Sequence, residues 1–530
     1  MLKVLLPTRK WETPRVWHGM VLSLSLALCS FPLSARAQGQ PNSQKGSSDA
    51  TKSQKSGTAA KGSQAAKPDA AKAAVAPEAT KAAPAPDVVA PAAAAADPSK
   101  TKSIAPIEVF RDKRAEDWLD LSKLKPVTAL PVTNQEILDM KAQAGGANAN
   151  IDQALIKRVV AAMAAKLTDR NNVQALVEPP AGMNMNAPAM RGVQEATTAL
   201  LEPLFGAKSL KNQAFLTIYY RSLRDALTPL LKNHLIPRVQ AMIILGECGA
   251  PDFLPLYEAQ IKDPKQTTWV KLWAIEGMVN VMEEGNRLSA QDEIVAAKTV
   301  SDYLDSEDSI PWPVQLRAME ALGAMRRGFE PNRPKKADMA NAAMNLLADG
   351  SAKVEVRSEA ARALGLMQIA AAVPKYNYRL VVHSAGQLAV ELGNRIASGY
   401  AKNQDRSKYL TALLIGPVYQ AFDGVPGARD SGLIHIASGD STAYVQSIFD
   451  LVKPVAKAAI DLNAAGSRQA RDRQKDLVAS VAVLKDFLEK NPPADRHLVP
   501  DGTEYPIALL PEVELKAPAA QLGGQQAKNR

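Results

Sequence analysis

The sequence predicts an all-α protein, and three observations predict it. One pattern recurs four times between residues 238 and 365, with spacings that keep its small and large apolar positions on one helical face. Aromatic residues make up only 5% of the 530-residue chain while alanine is abundant, a composition suited to helices that approach closely through small side chains. No segment alternates apolar and polar residues convincingly over the length of a strand.

The four copies begin at Arg238, Lys271, Gln315 and Arg357. Each has a long polar residue, an alanine three positions later (Ala241, Ala274, Ala318, Ala360) and a large apolar residue four beyond that (Leu245, Met278, Leu322, Leu364). The alanines are 33, 44 and 42 residues apart, the spacing of stacked helix pairs. Alanine gives clearance where two helices cross, and the larger residue one turn on fills the neighbouring groove. Gly246, Gly323 and Gly365 follow the large residue, near the expected helix end, where glycine favours chain reversal.

A first helix precedes each copy. Apolar stripes run through Phe215, Tyr219, Leu223 and Leu227; through Leu254, Tyr257 and Ile261; through Val295, Val300 and Leu304; and through Met339, Ala343 and Leu347. Pro237 sits at a helix start, where a missing N–H costs nothing. Ser289 with Asp292 marks another start.

The motif R-x-x-A-x-x-x-L-G over Phe215 to Gly365 resembles HEAT repeats, in particular the short HEAT-like repeats first associated with phycobilisome lyases. The resemblance implies an armadillo-like helical-hairpin solenoid used as a scaffold or binding surface. It transfers no functional residue, because the shared positions are packing positions. The second copy departs from it, with Val279 in place of the glycine, and the uneven spacing implies long connecting loops.

Read in order, residues 1–37 form a secretory signal peptide: Lys3, Arg9, Lys10 and Arg15, an apolar run from Val21, and the Ala35-Arg36-Ala37 cleavage site. Leu28 precedes Cys29 where a lipidation site needs a small residue. Residues 38–104 are an Ala/Pro/Lys-rich leader with too few large apolar residues to offset the entropy of ordering. Residues 105–205 are an N-terminal helical cap with loops. A short helix is expected over Arg111–Leu121, docked by Trp118; the capping box Thr133–Glu136 opens a further helix, and 175–191 reads as loop. Residues 206–400 hold the solenoid. Residues 401–490 are helices continuing the stack, bent or split at Pro417, and 491–530 form a loose tail.

The chain carries +10 net, but residues 1–37 and 38–104 each hold +4, which leaves the helical body near neutral and excludes a nucleic-acid footprint. The sequence holds no metalloprotease, P-loop, nucleophile-elbow, dinucleotide or haem-attachment motif, and its five histidines are scattered. No catalytic, cofactor-binding or metal residue is therefore assigned, and no small molecule is indicated. Cys248 reads as a small buried residue, and Trp269 with Trp273 as core. The alternative to a scaffold is an enzyme or ligand carrier with a site at 423–440, where Arg429, Asp430, His435 and Asp440 lie close in sequence. The preferred expectation is a non-enzymatic, exported, periplasmic or envelope protein with a protein partner. It touches the membrane only if residues 20–33 are retained as an anchor.

Overall fold

The computed structural model describes residues 112–510, apart from 113, 116–118, 147–149, 178–187, 284–287, 308, 370–372, 374, 427–429, 501, 508 and 509. The signal segment, the leader, Trp118, Arg429 and residues 511–530 lie outside the described residues. Among those described, regular structure is helical, and β-pairing is limited to two isolated bridges, Arg327 with Gln368 and His497 with Glu504. No described helix is long and apolar enough to cross a membrane.

The N-terminal helices are α1 (Asn134–Gly145), α2 (Gln153–Leu167), α3 (Arg170–Val177) and α4 (Pro188–Ser209). Thr133 and Glu136 close the expected capping box at α1. The segment read as loop at 175–191 is helical at both ends, in α3 and α4, because Val173 and Ala175 bury an apolar edge that a Pro/Asn/Met-rich composition hid. Helices α2 and α4 pack on α5 (Gln213–Leu227), the first helix of the first hairpin.

The repeat copies then form the second helices of consecutive hairpins: α6 (Leu235–Glu247), α8 (Thr268–Glu283), α10 (Trp312–Met325) and α12 (Val354–Leu366). Their first helices are α5, α7 (Leu254–Lys262), α9 (Ala290–Ser306) and α11 (Asp338–Ala348). Second helices pack in sequence, α6 on α8, α8 on α10 and α10 on α12; first helices do the same, α7 on α9 and α9 on α11. Ser289 caps α9 by accepting from the Asp292 N–H, as its sequence position predicts. Ala241, Ala274, Ala318 and Ala360 are all fully buried.

The motif glycines have a different role from the expected chain reversal. Gly246, Gly323 and Gly365 lie inside their helices with ordinary helical φ. A Cβ on Gly246 would sit 2.9 Å from the Trp273 carbonyl oxygen of α8, and one on Gly323 3.3 Å from the Ala363 Cα of α12. One on Gly365 would overlap the Ala421 carbonyl. Each glycine is where the backbone of the next second helix approaches; only a hydrogen fits at Gly246 and Gly365, and a methyl at Gly323 would be a tight contact. The reversal after α6 is made by Gly249, at φ +56°.

Gly365 locates a fifth hairpin that the motif does not mark. Its second helix is α14 (Gln404–Leu413), a π turn at Leu414–Val418 containing Pro417, and α15 (Tyr419–Asp423), with α15 packed on α12. Proline removes an N–H and widens the turn, so the helix continues with a shifted register instead of splitting. The expectation that residues 401–490 simply continue the stack is corrected beyond this point. After the short α16 (Leu433–Ile436), α17 (Ser441–Ala464) and α18 (Ala470–Lys490) pack on each other, and both pack on α13 (Tyr378–Gly399), as a three-helix bundle.

Two straps tie these parts together. The N-terminal one crosses successive inter-helix loops. Asp112 accepts from the Thr268 N–H at 2.6 Å; Arg114 holds both Glu307 oxygens at 2.9 and 3.1 Å. Further on, the Leu119 carbonyl meets His234, Lys125 pairs reciprocally with the Asn233 side chain, and the Val127 N–H reaches Thr168. Only Arg114, Ala115 and the turn Leu121–Lys123 are helical here, so the described part of 105–130 is a clamp along the hairpins and not a single docked helix. The C-terminal strap corrects the loose-tail reading for the described residues between 491 and 507; 511–530 lie outside the described residues. Leu498, Val499 and Tyr505 are buried, Leu498 accepts from the Asn377 N–H, and the Tyr505 hydroxyl donates to Asn341 and Asn345.

Candidate functional site

The long polar residue that opens each motif copy is buried in three copies and bridges two hairpins. Arg238 donates to the Asn233 carbonyl in its own turn and to the Gln266 side chain ahead of α8, 3.1 Å away. Burial lowers its pKa to about 10, so its carbonyl and amide partners are what make a charged guanidinium tolerable there. Lys271 meets Glu307, ahead of α10, at 3.1 Å and lies 4.5 Å over the Tyr303 ring. Arg357 donates to the Leu347 carbonyl at the end of α11 and pairs with Glu391 on α13. These rungs place a cation at the negative end of a first helix or against a carboxylate of the following hairpin.

A second polar feature crosses the second helices themselves. The positions just before and two after the motif alanine are Trp273 and Glu276 on α8, Arg317 and Glu320 on α10, and Glu359 and Arg362 on α12. Arg317 bridges Glu276 at 3.0 Å, both side chains 4% exposed, and also pairs with Glu320; Arg362 pairs with Glu359. Burial, with the nearby Glu359 and Glu276 carboxylates, raises Glu320 to about 7 against the pull of Arg317. The row is held in place by ion pairs within and between these helices.

The sequence-adjacent candidates at 423–440 do not converge. Asp430, His435 and Asp440 are exposed, and no described hydrogen bond joins them. The loop is organised by packing: Gly432 N–H donates to the Gly365 carbonyl at 2.7 Å and Arg326 to the Asp430 carbonyl at 2.8 Å. It therefore seats the fifth hairpin on α12. Trp273 is buried and Trp269 half-buried against the core, and Cys248 is buried with its thiol toward the Ile244 carbonyl. His383 is buried too, its Nδ1 2.9 Å from the Tyr444 hydroxyl, which donates to Asn491. Among the described residues no group of three His, Cys, Asp or Glu side chains is arranged to hold a metal.

Sequence reasoning recognised the motif's polar position but not its role as a rung, and it missed the charged row. Both were visible as charged residues flanking alanine on helices predicted to be packed, where an unpaired charge would be too costly. Comparison with protein-family models, with curated proteins and with solved structures finds no match to this chain.

Proposed function

We propose that this chain is a non-enzymatic scaffold of the cell envelope, a HEAT-like solenoid that binds a protein partner along its second helices. The observation that carries the reading is the charged row across α8, α10 and α12, in which Glu276, Arg317, Glu320, Glu359 and Arg362 are held in register by the hairpin repeat. Interfaces are specified by fixed, mutually oriented charges more than by bulk apolar area. Glu320 and Arg362 keep side-chain exposures of 16% and 25% and are the members a partner would reach. The signal-like residues 1–37 support export, and the low-complexity residues 38–104 support a spacer between that signal and the helical body.

The test is affinity capture from envelope fractions of the source cell with the full chain and with a Glu320→Lys/Arg362→Glu pair. The reading expects a stoichiometric protein partner that the charge-reversed pair loses while its helical circular dichroism is unchanged. Equal retention by both proteins, or no stoichiometric partner with either, would remove it. N-terminal sequencing of the exported form tests the export reading separately: a start at Gln38 supports cleavage, and a start at Met1 supports an anchor.

A further inference from the structure

The third hairpin lacks the cation that its neighbours carry. In the fourth hairpin, the Arg357 guanidinium donates to the carbonyl ten residues earlier, Leu347, next to last in α11, and then reaches Glu391 on the following first helix. The residue ten before Gln315 is Asp305, also next to last in its first helix, α9. Glutamine is shorter and neutral, and the Gln315 side chain makes no hydrogen bond to a described residue, its backbone N–H being used in the helix by the Pro311 carbonyl. Where the fourth hairpin has a buried guanidinium, the third has an open cleft of about 170 Å³, with Asp305 and Asn345 exposed at its rim. It runs from Leu304 and Asp305 at the end of α9, past Gln315, to Ala342, Asn345 and Leu346 on the next first helix, α11, with Glu307 and Ile310 at its side. At roughly 30 Å³ per water it has room for about five, more than one guanidinium head needs.

From this register we infer that the cavity is a binding site for an external organic cation, a guanidinium or primary ammonium head on a short apolar stem. The head would take the place that Arg357 occupies one hairpin later. It would lie at the negative end of α9 beside the Asp305 carboxylate and carbonyl, and the apolar walls Leu304, Ile310, Ala342 and Leu346 would hold the stem. The surroundings favour an added cation. Asp305 is exposed, yet partial desolvation, together with Asp302 and Asp338 nearby, disfavours its charged form, and Glu307 is committed to Arg114 and Lys271. The head could come from a free amine or from an arginine or lysine side chain of a partner. The inference is independent of the scaffold reading, because a free cation would bind whether or not a protein partner exists.

The experiment titrates the full chain with N-butylguanidinium and with an end-blocked Gly-Arg-Gly peptide. Their neutral isosteres, N-butylurea and the citrulline peptide, serve as controls. At least one cation should bind tenfold or more tightly than its isostere, and which one does distinguishes a free amine from a protein side chain. D305N should weaken that binding about tenfold, and Q315R, which supplies the missing rung from within, should abolish it while raising the unfolding temperature. If Q315R does not fold, Q315K takes its place. Equal binding of cation and isostere, or undiminished cation binding by D305N or by the rung-restoring variant, overturns the site.

Discussion

The repeat stretch α6–α12 and the bundle of α13, α17 and α18 are both helical and both fully packed, yet their helices meet by different means. In the repeat stretch backbone approaches backbone: Gly246 faces a carbonyl of α8, Gly323 an alpha carbon of α12 and Gly365 a carbonyl of α15. In the bundle Gly386 and Gly393 face side chains. Gly386 looks onto Ile448 and Leu488, both at 3.2 Å, and Gly393 onto Val481 at 2.5 Å and Val455 at 3.2 Å. Large rings fill the bundle's junction with the fifth hairpin, with Phe449 stacked on Phe422 at 5.7 Å and tilted on Tyr419 at 5.2 Å. An atom added at the motif glycines therefore meets backbone, and one added at Gly386 or Gly393 meets side chains.

Adding a charge at a repeat contact is expected to have the largest effect. Ala318 is fully buried on α10, and A318E would place an unpaired carboxylate there, costing about 4–5 kcal/mol or more. The array should lose its cooperative unfolding transition in urea; an A318E protein that melts like wild type would break the comparison. In the bundle the large effect comes from deletion. F449A removes a ring that is 2% exposed and should cost about 3–5 kcal/mol. Hydrogen exchange should then accelerate in α13, α17 and α15 before it does in α8.

How much of this was legible follows from what each signal encodes. Alanine spacing, the Thr133–Glu136 box and the Ser289 cap are local, and they were readable because helix periodicity and capping are local physics. The motif glycine was misread because one residue type serves both a helix end and a close approach. What separates the two is the sign of φ and the position of a helix tens of residues away. The fifth hairpin was hidden by Pro417, whose π turn shifts the face and erases the template. The C-terminal strap was hidden because Leu498, Val499 and Tyr505 have no periodicity, and Tyr505 finds its amides more than 150 residues earlier. For the alternative site at 423–440, proximity in sequence carried no information about convergence in space, and Asp430, His435 and Asp440 are each exposed.

A smaller effect separates the two kinds of glycine contact directly. In G365A the new methyl meets the Ala421 backbone, which cannot move without shifting α15, so a loss of about 2–3 kcal/mol is expected. In G393A it meets the end of the Val481 side chain, which can rotate, and the better helix propensity of alanine offsets part of the strain, leaving about 1 kcal/mol or less. Urea midpoints at constant m-value measure the difference. Equal losses would mean that backbone approach is not what distinguishes the regions.

The smallest expected effects are pH-dependent and opposite in sign. In the bundle, burial lowers His383 from 6.5 to about 4; it faces Tyr444, whose ring also carries Arg379. A depressed histidine pKa means the fold holds the neutral form, so its contribution is full above pH 6.5 and is lost as pH falls toward 4. In the repeat stretch, Glu320, among Arg317, Glu276, Glu359 and Arg362, is raised from 4.5 to about 7. A raised carboxyl pKa means the fold prefers the protonated form, so that contribution is full below pH 4.5 and is lost as pH rises through 7. Acid should therefore loosen α13 and α17 first, and mild alkali α10 and α12, as read by hydrogen exchange across pH 4–8. H383Q should flatten only the acid limb and E320Q only the upper one. If either variant flattened both limbs, the two regions would be a single cooperative unit with one shared response.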